Sequence, residues 1–120
     1  MFIKGECYNP CAIEPVALDH WIECVKQPGC LRGILETYRA GLKNGDLQQQ
    51  LLKDGGKLTL PVMTIGAPEF FGPQVKENFL KVAETVDVDH TFEECGHSLA
   101  LEKPERLAKC LREFMLKGSK

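Results

Sequence analysis

The chain has 120 residues, a net charge of −2, 43% hydrophobic residues and 27% charged ones. This is the size and balance of one modest soluble domain. The composition argues against a nucleic-acid surface, since it has neither a basic run nor an aromatic–basic ladder. It also argues against a membrane protein, because no apolar run approaches the roughly 20 residues of a span.

Taken in chain order, residues 1 to 14 show little periodicity, with Gly5, Pro10 and two cysteines. Met1 to Tyr8 lacks the long apolar region of a secretory leader, and Gly118 to Lys120 reads as a polar tail, so a cytoplasmic location is the expectation. From Pro15, apolar residues recur at Leu18, Trp21, Ile22 and Val25, a helical spacing that Gln27-Pro28-Gly29 interrupts. A second helix carries Leu31, Ile34, Leu35, Tyr38 and Leu42 and is expected to end between Gly41 and Gly45, which makes a helical hairpin. Asp46 is positioned to cap a third, polar helix through Lys53, closed by Asp54-Gly55-Gly56.

The remainder alternates between strand and helix. Leu58 to Ile65 is a strand candidate, with Pro61 near its start, where a missing N–H is tolerable. Its nearly continuous apolar run Val62-Met63-Thr64-Ile65 suits a strand of a parallel sheet covered on both faces. After a loop from Gly66 to Pro73, a helix over Gln74 to Thr85 presents Val75, Phe79, Val82, Ala83 and Val86. Val86 to Glu94 is the second strand. Pro104 opens a last helix, with Leu107, Leu111, Phe114 and Met115 as its apolar stripe and Ala108 alongside. Strand-helix-strand-helix defines an α/β class. Two strands alone leave open sheet edges.

Six cysteines stand at positions 7, 11, 24, 30, 95 and 110. Their spacings form no compact framework, so reduced thiols are the expectation. Cys7, Cys11, His20 and Cys24 are a metal-ligand alternative, but they lack the tight C-x2-C pairing typical of zinc sites. Cys24 falls on the amphipathic helix, where it reads as a small buried thiol. Cys95-Gly96-His97 follows the second strand. An imidazole there sits on a loop where its neutral form can accept a proton near neutral pH. A Cys95–His97 dyad is not the expectation for this run.

Three segments together resemble the C-terminal third of an α/β-hydrolase: Leu60-Pro61-Val62-Met63-Thr64-Ile65-Gly66, then Gly96-His97, then Glu102-Lys103-Pro104-Glu105. Gln27-Pro28-Gly29, followed by Leu35-Glu36-Thr37-Tyr38-Arg39-Ala40, resembles the end of a helical cap, nearest to the epoxide hydrolase and haloacetate dehalogenase branch. The resemblance implies a partial α/β-hydrolase fold, with 1–56 as the C-terminal part of the cap and 57–120 as the C-terminal part of the core. It implies His97 as the base that activates water against an ester intermediate and Glu69 as the acid that orients it. Glu69 stands where many relatives place an Asp, and some relatives carry their acid on an earlier loop. Tyr38 matches a cap tyrosine that hydrogen-bonds an epoxide oxygen, although core packing would explain it as well. Phe70 and Phe71 read equally as pocket wall or as rim packing. No cofactor is implied.

The family's attacking residue sits on a glycine-flanked strand-to-helix turn. Neither serine, Ser98 or Ser119, has that setting, and no aspartate is flanked by glycines at the required spacing. The expectation is therefore the C-terminal fragment of a hydrolase that acts on a small-molecule substrate, inactive alone for want of a nucleophile. The alternative is a non-enzymatic interaction module whose open sheet edge pairs with a complementary hydrolase half or with a second copy.

Overall fold

The computed structural model describes residues 2–117, so Met1 and the tail 118–120 lie outside the described residues, as do the side chains of Phe2, Ile3 and Leu42. Helix α1 spans Phe2–Gly5, and a single 3-10 turn covers Pro10–Ala12. Helices α2 (Pro15–Lys26), α3 (Cys30–Arg39) and α4 (Gly41–Gly55) follow. Strand β1 is Met63–Gly66, α5 is Gln74–Phe79 and β2 is Val88–Thr91. Short α6 (Leu99–Glu102) precedes α7 (Pro104–Lys117). Two compact units result. One joins Met1–Ile13 to Lys57–Lys120 and the other is Glu14–Gly56. The first thirteen residues thus group with the strands, whereas the sequence reading placed them with the cap helices.

In the helical unit, Pro15 begins α2 at the position where its missing N–H is harmless. Gly29, at φ 84°, makes the left-handed turn into α3. The break expected between Gly41 and Gly45 lies one residue earlier, at Ala40, and α4 then runs unbroken through Gly45 and Asp46. Asp46 is therefore an interior residue and not a cap. A helix tolerates glycine at about 1 kcal/mol, whereas proline is far more disruptive, and no proline is present there. No residue of this unit is buried among those described. Tyr38, expected on an apolar stripe, is 76% exposed, and Cys24, expected to be buried, is exposed.

In the other unit, β1 and β2 pair in parallel, Met63 against Val88 through Gly66 against Thr91. Both strands are shorter than their apolar patterns suggest. Leu58 bridges to Ala83, its N–H donating to Val82 O at 2.9 Å while Glu84 N donates to Leu58 O. That pairing also explains why α5 stops at Phe79, because the backbone from Val82 to Glu84 bonds to Leu58 and does not continue the helix. Thr64, the one buried polar residue among those described, donates through Oγ1 to Asp89 at 2.7 Å and so meets its hydrogen-bonding need.

The core gathers Ala67, Phe92, Cys95 and Cys110, with Met63, Ile65, Leu99 and Leu107 packed against it. The buried face of α7 is Leu107, Cys110 and Phe114, while Leu111 and Met115, assigned to the stripe from sequence, are exposed. Arg106 lies over the Phe92 ring at 4.3 Å and donates to Thr91 O at 3.0 Å. Through Arg106 and Phe92, α7 is held to the end of β2 from which the His97 loop departs.

Candidate functional site

β1 ends at Gly66 and β2 at Thr91, so the loops that follow them, 67–73 and 92–98, leave the same end of the sheet. Crevices at the C-terminal ends of parallel strands are the usual ligand sites of α/β sheets. Gly66 and Gly72 let the first loop fold back on itself, since a Cβ on Gly66 would strike the backbone carbonyl of Gly72. The second loop places Cys95 in the core and the His97 side chain in the open. The two side chains thus lie in different surroundings and do not form a dyad.

His97 faces a cavity of about 240 Å³ whose other side chains are Ile65, Ala67, Phe70, Phe71, Val75 and Leu99. Its imidazole stacks on the Phe70 ring, centroids 4.2 Å apart with a 41° tilt, and Phe70 meets Phe71 edge-on at 4.7 Å. Of the two readings for the loop aromatics, pocket wall is the one the geometry matches.

Glu69 is exposed and lines a different cavity, about 320 Å³, together with Glu6, Cys7, Tyr8 and Phe70. Phe70 borders both cavities. Among the described residues no hydrogen bond or ion pair joins Glu69 to His97. Tyr38 belongs to the helical unit, on α3, with its side chain in the open.

The His97 loop is held from beneath by two features that sequence patterns do not reveal. The Glu102 carboxylate accepts from Gly96 N through Oε1 at 2.8 Å and from Asn9 N through Oε2 at 2.9 Å. His97 N donates to Glu6 O at 2.8 Å. Segment Glu6–Asn9 is thereby laid against Gly96, whose lack of a side chain allows the approach. The only sequence trace of this clamp is the spacing of Glu102 ahead of Pro104. These contacts set the backbone of the loop and leave the imidazole side chain to the cavity.

Two thiols lie in the same region. Burial pushes Cys7 and Cys95 above the ordinary value of 9.0, and the Glu102 charge raises both further. Unfolding would let these thiols ionise at the ordinary value. Their contribution to stability is therefore complete below about pH 9 and is lost as pH rises through the folded-state values. Urea midpoints are expected to fall above that pH in the parent chain, and to fall less in a Cys7→Ser, Cys95→Ala double variant. Iodoacetamide labelling followed by mass spectrometry at neutral pH should modify the exposed Cys11 and Cys24 well before Cys95.

No group of three or more His, Cys, Asp or Glu side chains is arranged for a metal among the described residues. Of the four metal-ligand candidates, Cys7 and Cys11 lie in one unit and His20 and Cys24 in the other, with Cys24 Sγ 3.6 Å from His20 Nε2. No described helix is long and apolar enough to cross a membrane.

Parallel strands whose C-terminal loops present a histidine to an apolar cavity, together with a separate helical unit, form a partial α/β-hydrolase fold. The chain superposes on Cfl2 wild-type from Burkholderia cenocepacia with a TM-score of 0.87 and 29% identity, covering 94% of this chain and 38% of that one. It superposes on the epoxide hydrolase CorEH, solved without ligand, with a TM-score of 0.81 and 27% identity, covering 93% of this chain and 38% of that one. The chain thus spans well under half the length of either. No protein-family model matches it, and no curated protein does.

Proposed function

We propose that this chain is the C-terminal part of an α/β-hydrolase that opens an epoxide or a carbon–halogen bond through an ester intermediate, with His97 as the base that hydrolyses the ester. The observation that carries this reading is the position of His97: exposed, after the second parallel strand, on an otherwise apolar cavity. An apolar surround strengthens electrostatic and proton-transfer interactions relative to water. In this reading Glu69 orients the imidazole and Tyr38 assists the leaving oxygen. Both roles are assigned from their places in the loop after β1 and on α3. The nucleophile and oxyanion donors belong to the remainder of the fold. The isolated chain is then expected to be inactive, because oxyanion donors alone are commonly worth about 10²–10³-fold. A cytoplasmic location and a small-molecule substrate belong to the same proposal.

The test is a chimera in which this chain replaces the segment of CorEH on which it superposes. The chimera is expected to hydrolyse epoxides with turnover that depends on His97, while the 120-residue chain alone does not. A folded chimera without turnover would refute the reading.

One observation favours a second reading. The two-stranded sheet leaves an outer edge on both β1 and β2, and Leu58, Leu60, Leu111 and Leu116 are exposed in the same unit. An interaction module that adds a strand from a complementary hydrolase half or a second copy would use those features. Sedimentation that shows a concentration-independent monomer would exclude self-association.

A further inference from the structure

Phe71 has a φ of 59°, in the left-handed region, where a bulky side chain is an outlier. Such residues persist only where their surroundings over-determine them, and they gather at ligand clamps. Here the surroundings are a tight backbone knot. Phe70 N and Gly72 N both donate to Ala67 O, at 2.9 and 2.8 Å, and Gln74 N donates to Phe71 O at 2.9 Å. The strain is not offset by burial, because Phe71 remains 62% exposed.

What the conformation does achieve is placement. The Phe71 ring stands at 90° to Phe70, the ring stacked on His97. It borders the His97 cavity on one side and, on the other, a cavity of about 200 Å³ formed with Pro68, Pro73 and Gln74. We infer that Phe71 is a specificity-determining wall of the substrate site, built to pack an aryl group of an uncharged small molecule whose reacting carbon faces His97. Perpendicular rings offer an edge and a face to a third ring, the arrangement that aromatic groups prefer. His97 supplies the single polar side chain on the cavity, which leaves a charged substituent no partner there among the described residues. The inference rests on the reading of His97 as the base, since that fixes which end of the substrate points where.

The test uses the 120-residue chain with 2-phenylethanol as probe and 2-cyclohexylethanol as its saturated counterpart, following the His97 ring protons by NMR titration. The aryl probe is expected to shift those protons and to bind about fivefold more tightly than the saturated one. Phe71→Gly removes the ring and the strain together, so it should weaken aryl binding about fivefold while the thermal midpoint holds or rises. Phe71→Asn, a residue that tolerates the left-handed region, provides a second folded variant with the same expectation. Absence of binding by the parent chain, equal binding of the two probes, or unchanged aryl binding in either variant overturns the inference. So does a midpoint lowered by more than about 5 °C in both variants, since the ring would then serve folding. None of these outcomes bears on His97 as base, which is read from turnover of the chimera.

Discussion

In the CorEH chimera, replacing His97 by alanine is expected to lower turnover about 10³-fold and to leave an ester trapped on the protein. The two effects share one cause. Formation of the ester needs the nucleophile and the leaving-group donor, both outside the His97 loop, so it continues. Its hydrolysis needs a water proton to pass to the imidazole while the water oxygen attacks the ester carbonyl. That step releases the product alcohol, regenerates the carboxylate, and returns the proton to solvent. Without the base, only the second half-reaction slows. The expected record is therefore a burst of substrate consumption of one equivalent per chain without matching release of product, a mass increase equal to the substrate, and little change in the concentration dependence of the burst. If turnover and burst fall together, His97 acts before the ester forms and the assigned role is wrong. The backbone around residue 97 is not at risk in this variant, because its hydrogen bond to Glu6 O comes from the main-chain N–H.

The parts of this arrangement that were legible in the sequence are those written in side-chain pattern. The run Val62 to Ile65, the second strand and the Gly-His after it predicted a parallel pair with an imidazole at its C-terminal end, and the paired strands stand there. The limits of the elements were less legible, because tertiary pairing decides them. Leu58 has the apolar character of a strand residue, yet its backbone bonds to Val82 and Glu84, which both delays β1 and ends α5 early. On α7 the sequence favoured Leu111 and Met115 by hydrophobicity, whereas the core takes the smaller Cys110, which fits against Phe92 and Cys95. For Tyr38, periodicity showed an apolar stripe but not what covers it.

The site itself was legible only in its chemistry-bearing residues. The seat beneath His97 is made largely of backbone: Glu6 O, Asn9 N, Gly96 N. Backbone contacts leave no side-chain periodicity, so residues 1–13 looked irregular although they belong with the strands. The φ of Phe71 was equally hidden, because phenylalanine is among the residues least suited to that conformation, and nothing in the sequence other than the neighbouring Gly72 marks the turn.

The weakness of a backbone seat is that a single methyl group can unseat it, and Gly96→Ala is expected to cost about 3.5–7 kcal/mol. A Cβ at Gly96 would collide with Glu6 O and would come within 2.8 Å of Tyr8 N and 2.9 Å of Cys7 Cα. All three are main-chain atoms, so no rotamer change can make room and segment Glu6–Asn9 must lift away. Overpacking of this kind costs about 1–3 kcal/mol. Lifting the segment also breaks His97 N to Glu6 O and Asn9 N to Glu102 Oε2, about 1 kcal/mol for the first and about 1.5–3 for the charged acceptor. Against a total stability of about 5–15 kcal/mol for a domain of this kind, the loss leaves little margin. Gly33 supplies the contrast. It lies inside α3 with nothing within 4 Å of where a Cβ would stand, so Gly33→Ala should stabilise its helix by up to about 1 kcal/mol. Urea unfolding followed by amide hydrogen exchange separates the two, with the His97 N–H expected to exchange at open-loop rates in Gly96→Ala and to keep its protection in Gly33→Ala. Retained protection of that N–H in Gly96→Ala would mean that Glu6–Asn9 does not form the seat of the loop.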